Sequence, residues 1–215
     1  MTSSIYIHKT AIMECGAMIG DFTSIWHFAH IEGRAQIGEN CNLGQGTYVG
    51  NNAKIGNACR IGNSVSVFSH VELEDFVFCA PFMVFTHIKF PRAAVNRHSV
   101  FIKTHVGKGA SLGANSTVVP GVTIGEGAFI AAGSVLTRSC SPWALMVGSP
   151  AKQVGWVSAF GERIEFEKPD NAKWKCGHTG DKYFLKSGVI NRAPGFEDIL
   201  KYNGGKRLIR MISCI

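Results

Sequence analysis

Histidine is the side chain best suited to accept a proton near neutral pH, because its unperturbed pKa lies close to physiological pH. A well-placed general base contributes about 10² to 10⁴ in rate where a nucleophile must lose a proton. The chain of 215 residues contains eight histidines: His8, His27, His30, His70, His87, His98, His105 and His178. Choosing among them requires the elements that position them.

A six-residue repeat organises most of the chain. Every sixth residue from Ile7 to Phe85 is apolar, and a second run of the same period extends from Val100 to Leu136. Glycine is too frequent within the repeat for a helix. Three six-residue units make an eighteen-residue coil, and coils about 4.8 Å apart can pair as parallel strands. The sequence therefore predicts an all-β solenoid with three flat faces.

A narrow prism leaves little room inside, so its second inward position must hold small or slender side chains. A second inward position holds residues such as Cys41 and Cys59. Together with an odd total of seven cysteines, this register indicates buried thiols in a reducing compartment. Glycine follows the apolar residue of many repeats, as at Gly44 and Gly62. Because glycine adopts positive φ at little cost, these positions are expected to form the corner turns.

One loop is expected to leave the solenoid. Phe85 and Val100 are fifteen residues apart, which is not a multiple of six, so a segment at about 87–99 must depart and return. Its proline and two arginines, Arg92 and Arg97, are typical of an excursion that covers a ligand. Arg92 could hold a pyrophosphate or a carboxylate in a bidentate pair, and a solvated loop arginine is the alternative.

The eighteen-residue coil aligns outward side chains in vertical columns. One column contains Gly33, Asn51, Ser69 and His87, and a second contains His27, Gln45, Asn63 and Pro81. His87 lies where the first column meets the loop, so it is the candidate catalytic residue, with ligand orientation or surface polarity as the alternative. Gln45 and Asn63 can hydrogen-bond a nucleotide or a sugar, or can form a ladder that stabilises the solenoid.

The charge and the termini exclude several function classes. The net charge is +7, and the segment from Lys152 onward contains twelve Lys and Arg but only seven Asp and Glu. This excess lacks interleaved aromatic platforms, so nucleic acid is not an expected partner, whereas a small polyanion is. The N-terminus resembles no leader and no apolar run reaches eighteen residues. We therefore expect a cytoplasmic protein without a membrane partner.

The repeated units of an aliphatic residue, glycine and four variable residues resemble the hexapeptide-repeat acyltransferases. The segment PWALMVGSPAKQVGW, residues 142–156, is similar to the family's acyl-CoA signature that closes the helix. The segments Trp26-His27-Phe28, LGQGTYVG with Gln45, MVFTHIKFPRA with Arg92, and GWVSAFGE are similar to the branch that N-acetylates nucleotide-linked 3-amino sugars.

The resemblance implies a left-handed parallel β-helix that assembles as a homotrimer with active sites between subunits. It implies transfer of an acetyl group from acetyl-CoA to a 3-amino nucleotide sugar for lipopolysaccharide O-antigen or related surface glycans. UDP-2-acetamido-3-amino-2,3-dideoxyglucuronate is the favoured acceptor and a dTDP-3-amino-3,6-dideoxyhexose is the alternative. The position of His87 is commonly asparagine in this branch, so a role as general base is not implied by it.

The resemblance also implies where the ligands bind. The substrate residues would be Trp26, His27, Gln45, Asn63 and Arg92. Pantetheine would run between adjacent solenoids along small residues, with its phosphates neutralised by a cation: Gly113, Ala114, Ala131, Ala132, Arg138 and Lys152. Lining of a trimer interface is the alternative for His27 and His30. Ordinary solenoid corners are the alternative for the small residues.

Two other function classes fit the same fold. A γ-carbonic-anhydrase-like metalloenzyme would need three histidines around zinc, but no H-x-x-x-x-H pair is present and Cys176-x-His178 offers two ligands, so no metal is expected. A non-catalytic scaffold is the second alternative. The expected domains are a β-helix at 1–156, which includes the loop, and a C-terminal extension at 157–215. The extension is expected to be a small α/β tail with a hairpin within 176–188.

Overall fold

A computed structural model of the chain describes residues 4–96, 102–168, 170–195 and 198–201. Three sheets of mostly two-residue parallel strands form the faces of a prism. The first sheet contains β1 (Tyr6–Ile7), β4 (Ser24–Ile25), β7 (Asn42–Leu43), β10 (Arg60–Ile61), β13 (Phe78–Cys79), β16 (Ser111–Leu112), β19 (Phe129–Ile130), β21 (Ala144–Gly148), β22 (Ala151–Val157) and β23 (Arg163–Ile164). In this sheet β22 and β23 are antiparallel additions.

The other two faces complete each coil. The second sheet contains β2 (Ile12–Met13), β5 (His30–Ile31), β8 (Tyr48–Val49), β11 (Ser66–Val67), β14 (Val84–Phe85), β17 (Thr117–Val118) and β20 (Val135–Leu136). The third sheet contains β3 (Met18–Ile19), β6 (Gln36–Ile37), β9 (Lys54–Ile55), β12 (Val71–Leu73), β15 (Thr104–Val106) and β18 (Thr123–Ile124). From β1 to β21, consecutive strands along the chain therefore belong to different sheets, as the six-residue period predicts.

The strand register matches the eighteen-residue coil. Ile25 pairs with Leu43, and Leu43 pairs with Ile61. Across the loop the interval changes, because Phe85 pairs with Val118, thirty-three residues later. The chain between β14 and β15 thus contains fifteen residues beyond a normal coil. The described part of this loop, up to residue 96, has no strand, whereas Arg97 and His98 lie outside the described residues.

The predicted inward positions form the core. Ile25, Leu43 and Leu112 have no solvent exposure and Ile61 is 1% exposed. Burial of each such side chain stabilises the fold by about 1.5–3 kcal/mol. Cys41, Cys59 and Cys79 are buried and free of disulfides. The thiols of Cys41 and Cys59 lie 3.0 and 3.1 Å from the carbonyl oxygens of Gly56 and Glu74. The expectation of buried core thiols is confirmed for these cysteines.

The role expected for the repeat glycines is wrong. Positive φ occurs two residues later in the turn, at residues such as Phe28 and Ser64, with φ of 55° and 58°. At Gly44 and Gly62, glycine is required because a side chain would collide with the next coil. A Cβ built on Gly62 would lie 2.5 Å from the backbone nitrogen of Pro81 on the next coil. Glycine therefore allows the corners of successive coils to approach closely.

The C-terminal extension folds as β-structure in its described part. The strands β24 (Ala172–Lys175), β25 (Lys182–Lys186) and β26 (Val189–Ala193) form an antiparallel sheet. The segment 176–188, expected to form a hairpin by itself, contains one strand, β25, whose partners β24 and β26 lie outside it. The described residues contain no helix, so the expected helical component is absent from them. Since the described chain contains no helix, it offers no helical segment able to cross a membrane.

An aromatic cluster joins this small sheet to the end of the solenoid. Trp143 follows the last coil, is almost fully buried and meets the ring of Tyr183 at 5.6 Å between ring centroids. Gly127 leaves space for the Trp143 ring, because a Cβ there would lie 2.1 Å from it. Ile164 and Ile190 complete the contact. The extension thus packs against the solenoid, as its apolar residues require.

Candidate functional site

The predicted site residues lie along two edges of the prism. The first edge consists of the turns that follow the first sheet, and it carries Trp26, His27, Gln45, Asn63, Gly113, Ala114, Ala131 and Ala132. The second edge consists of the turns that follow the second sheet, and it carries His87, Arg138 and the start of the loop with Arg92. Pro81 and His87, which mark the two edges on one coil, lie on either side of β14, so one face of the prism stands between them. One chain does not bring the two groups together.

His87 is half-buried and is the second residue after β14, where the loop leaves the second edge. Its imidazole packs on the ring of Phe68 from the coil below, with 4.3 Å between ring centroids and 34° between planes. Burial lowers the pKa of His87 below its ordinary value of 6.5, because desolvation disfavours the imidazolium. At neutral pH the ring is therefore neutral and able to accept a proton.

A cleft of about 510 Å³ opens between the loop and the upper coils beside His87. Its lining residues are Thr86, Ile88, Lys89, Phe90, Val119, Pro120, Gly121, Val122, Thr137, Arg138 and Ser139. Lys89 and Arg138 supply two cations and the hydroxyls supply hydrogen-bonding groups, so the cleft suits an anionic ligand with an apolar part. The sequence analysis predicted Arg138 but missed Lys89. The position of Lys89, two residues after His87, could have indicated it.

Arg92 lies farther along the loop. It is exposed, its Nη1 donates to the carbonyl oxygen of Pro91 at 3.2 Å, and it lines an open hollow with residues 93–96. Arg92 does not line the cleft that contains Arg138. The predicted grip on a pyrophosphate or a carboxylate thus stays a prediction.

The lower first edge carries an exposed aromatic surface. Trp26 Nε1 donates to Asn42 Oδ1 at 2.9 Å, and the Trp26 ring lies 5.2 Å from that of Tyr6. His27 stacks on His8 at 3.6 Å between centroids. Desolvation, followed by the charge of His27, lowers the pKa of His8. Exposed rings beside hydrogen-bonding groups can stack on a base or a sugar.

Asn63 and Gln45 form one rung of a ladder on the same edge. Asn63 Oδ1 accepts the backbone N–H of Gln45 at 3.0 Å. This contact is the one expected if Asn63 stabilises the solenoid as part of a ladder. The Gln45 side chain is exposed at the edge, so its predicted role toward a nucleotide or a sugar stays open to test.

Backbone hydrogen bonding distinguishes the predicted pantetheine residues. The N–H groups of Gly113 and Ala131 donate to Ile130 and Met146 within the solenoid, at 2.8 and 2.9 Å. By contrast, the Ala132 N–H and C=O and the Ala114 N–H have no hydrogen-bond partner among the described residues. Ala114 and Ala132 are thus better placed than their neighbours to bond an extended ligand. Lys152 is exposed on β22, at the upper end of the first sheet.

Several other histidines lie beside glutamate carboxylates. His30 Nε2 lies 3.0 Å from Glu14 Oε1, His105 Nε2 lies 3.1 Å from Glu74 Oε1, and His178 Nε2 lies 3.1 Å from Glu162 Oε1. The Cys176 thiol lies 3.6 Å from Glu162 Oε2, so this group is a local contact of the extension. Over the described ranges, no three His, Cys, Asp or Glu side chains form a group able to hold a metal ion.

Comparison with known proteins first concerns the repeats. The family model for bacterial transferase hexapeptide (six repeats) matches residues 16–51, 35–69 and 103–138. Together with the strand pairing, this match confirms the predicted left-handed β-helix of hexapeptide repeats. A variant of AntD, an N-acyltransferase from Bacillus cereus solved with dTDP and coenzyme A, shares 20% identity and a TM-score of 0.49 over 71% of this chain and 82% of that chain.

Two curated proteins extend the comparison. The dTDP-3-amino-3,6-dideoxy-alpha-D-galactopyranose 3-N-acetyltransferase of Aneurinibacillus thermoaerophilus is 39% identical over 191 residues, covering 89% of this chain and 96% of that protein. A probable macrolide acetyltransferase of Lysinibacillus sphaericus is 33% identical over 103 residues, covering 46% of this chain and 54% of that protein. The first similarity covers most of the length of both proteins.

Proposed function

Because the chain belongs to the hexapeptide-repeat acyltransferase family, we propose that it acetylates the 3-amino group of a nucleotide-linked sugar with acetyl-CoA. The observation that carries this proposal is the 39% identity over nearly the whole length of the Aneurinibacillus 3-N-acetyltransferase. That enzyme's named substrate favours a dTDP-3-amino-3,6-dideoxyhexose. UDP-2-acetamido-3-amino-2,3-dideoxyglucuronate, the acceptor favoured by the sequence motifs, becomes the second candidate.

The active form would be a homotrimer in which the first edge of one protomer faces the second edge of its neighbour. The separation of the predicted residues supports this assembly, because His87 and the aromatic surface around Trp26 lie on different edges of one chain. Trp26, His27 and Gln45 of one protomer would then bind the nucleotide sugar beside His87 of the other. Arg92 of the loop would meet the pyrophosphate from the open side.

The donor would lie in the groove between the same two edges. The unpartnered backbone groups of Ala114 and Ala132 support hydrogen bonds to the amides of pantetheine. Arg138 would neutralise a CoA phosphate from the facing edge, where its cleft also offers Lys89 and three hydroxyls. Lys152, at the top of the first sheet, would contact the outer phosphates.

The reaction needs a neutral amine close to the thioester carbonyl. As the amine nitrogen forms the new C–N bond, His87 would accept its proton, and backbone N–H groups would stabilise the tetrahedral oxyanion. Collapse of this intermediate breaks the C–S bond, and the thiolate of CoA takes up the proton. The lowered pKa of His87 supports the role of base, because the ring enters the reaction unprotonated. Orientation of the amine alone is the alternative role.

The test is acetyl-CoA turnover, followed by thiol release, against a panel of acceptors. The panel contains a dTDP-3-amino-3,6-dideoxyhexose, the UDP-linked 3-amino glucuronate and, as a control, the dTDP sugar with a 3-hydroxyl in place of the amine. We expect release that depends on the 3-amino acceptor, fastest with the dTDP sugar. Release at the same rate with the 3-hydroxyl control would contradict the function, and absence of release with every acceptor would favour a non-catalytic protein.

A further inference from the structure

Four aromatic rings, in edge-on and tilted contacts, form a continuous column along the second sheet and second edge that ends at His87. His30 meets Tyr48 at 5.8 Å between ring centroids, and Tyr48 meets Phe68 at 5.6 Å. The last step, from Phe68 to His87, is the shortest at 4.3 Å. The ring of His87 is thus supported by a column of side chains from three coils below it.

Carboxylates occupy the equivalent of position 68 on two lower coils. Glu14 and Glu32, like Phe68, are the first residues after a second-sheet strand. Glu14 Oε2 accepts the backbone N–H of Gly33 at 3.0 Å, and Glu32 Oε2 accepts that of Asn51 at 2.6 Å. In both cases the partner lies nineteen residues later, which is also the interval from Phe68 to His87. The residue at this position therefore contacts the column residue of the next coil from below, and for His87 that residue is Phe68.

The lower rungs also show what a carboxylate does there. The other oxygen of Glu14 pairs with the His30 imidazole at 3.0 Å, and that of Glu32 accepts the Tyr48 hydroxyl at 2.7 Å. An acid in this position thus contacts a ring sixteen residues later and the backbone N–H of the residue nineteen later. For position 68 the residue nineteen later is His87 itself, so a carboxylate there would lie beside His87. A carboxylate within about 4–6 Å of an imidazole favours the protonated form. Phenylalanine at position 68 supplies packing without that charge.

No other acid replaces it among the described segments that flank His87. The ionisable residues there are His70 on the coil below, Lys89 in the loop and Arg138 two coils above, and none is a carboxylate. The two cations among them, Lys89 and Arg138, would oppose protonation of His87, whereas a carboxylate would favour it. This agrees with the lowered pKa of His87, which burial causes.

We propose that Phe68 is a positioning residue, which holds the His87 ring from below and keeps a carboxylate away from it so that the neutral imidazole faces the substrate amine. The proposal rests on the proposed function for its role in the reaction. The contact itself is independent of that function. Two variants separate the effects: Phe68→Glu restores the charge of the lower rungs, and Phe68→Leu keeps an apolar side chain but removes the ring.

The experiment measures the His87 titration by NMR of histidine-labelled protein, with the signal assigned by its loss in His87→Asn. It also measures the pH profile of kcat/KM. In Phe68→Glu we expect the pKa of His87 to rise by about one unit or more and the acid limb of kcat/KM to rise equally. In Phe68→Leu we expect the pKa to change by less than half as much while kcat falls about tenfold through lost ring placement. Val189→Glu, on the exposed face of β26, adds the same charge elsewhere and should change neither quantity.

Each failure has its own signature. An unchanged His87 titration in Phe68→Glu, with folding intact by circular dichroism, would overturn the contact. A raised pKa without movement of the acid limb, or full kcat in Phe68→Leu, would overturn the role of Phe68 in the reaction. A wild-type protein that turns over no amino sugar would overturn the proposed function instead, because the titration does not depend on turnover.

Discussion

Replacement of Arg192 by methionine should destabilise the C-terminal sheet by leaving a buried carboxylate without its cation. Asp181 has no solvent exposure, and the Arg192 side chain is 7% exposed. Arg192 Nε donates to Asp181 Oδ2 at 2.7 Å, and its Nη2 donates to Asp198 Oδ1 at 2.8 Å. In Arg192→Met the Gly195 N–H, at 2.8 Å, still bonds the Asp181 carboxylate, but its charge remains unpaired. Removal of one partner from such a pair costs about 3–5 kcal/mol.

The assay is urea unfolding followed by tryptophan fluorescence, since the guanidinium lies 5.6 Å from the Trp143 ring centroid. The double variant Asp181→Asn with Arg192→Met removes the charge as well, so we expect it to recover at least half of the lost stability. The exposed Lys173→Met on β24 is the matched control and should change stability by less than about 0.5 kcal/mol. A loss below about 1 kcal/mol in Arg192→Met, or no recovery in the double variant, would refute the reasoning.

The remaining predictions concern the solenoid edges. Gly62→Ala should destabilise the protein by about 1–3 kcal/mol in the same unfolding assay, because its Cβ would meet the Pro81 backbone; an unchanged midpoint would contradict this. Arg138→Ala should raise the KM for acetyl-CoA about tenfold or more and leave that for the sugar unchanged, through loss of a charge-assisted hydrogen bond. His87→Ala should lower kcat/KM by about 10² to 10⁴, whereas full activity from pH 6 to 9 would exclude a base there. In the wild type, activity should persist as pH falls to 6.5 and decline only below it, because a lowered pKa keeps His87 neutral.

The period of the sequence predicted the solenoid and its register because each inward residue recurs at a fixed interval. The pairing of Phe85 with Val118 also follows from the break in phase that marked the loop. The role of Gly62 was mistaken, since spacing shows where a turn occurs but not whether φ or the next coil demands glycine. The C-terminal sheet has no period, and its Tyr183 packs on Trp143, which is distant in sequence. Such a contact cannot be read from spacing.

The site was predictable in its columns but not in its contacts. Register arithmetic placed His87 above Ser69 and separated it from the column of Gln45. It did not reveal that Phe68 packs on the imidazole, because ring contacts depend on side-chain direction as well as spacing. Lys89 was missed for a related reason, since the path of a loop outside the repeat has no register. The division of the candidates between two edges became visible only once the three faces were assembled.

The central claim is tested most directly by incubating the protein with acetyl-CoA and a dTDP-3-amino-3,6-dideoxyhexose and identifying the product by NMR. The account predicts one free thiol for each acetamide formed, with the acetyl group on the nitrogen at C3 of the sugar. Thiol release without acetamide, or an acetyl group on a hydroxyl instead, would contradict it.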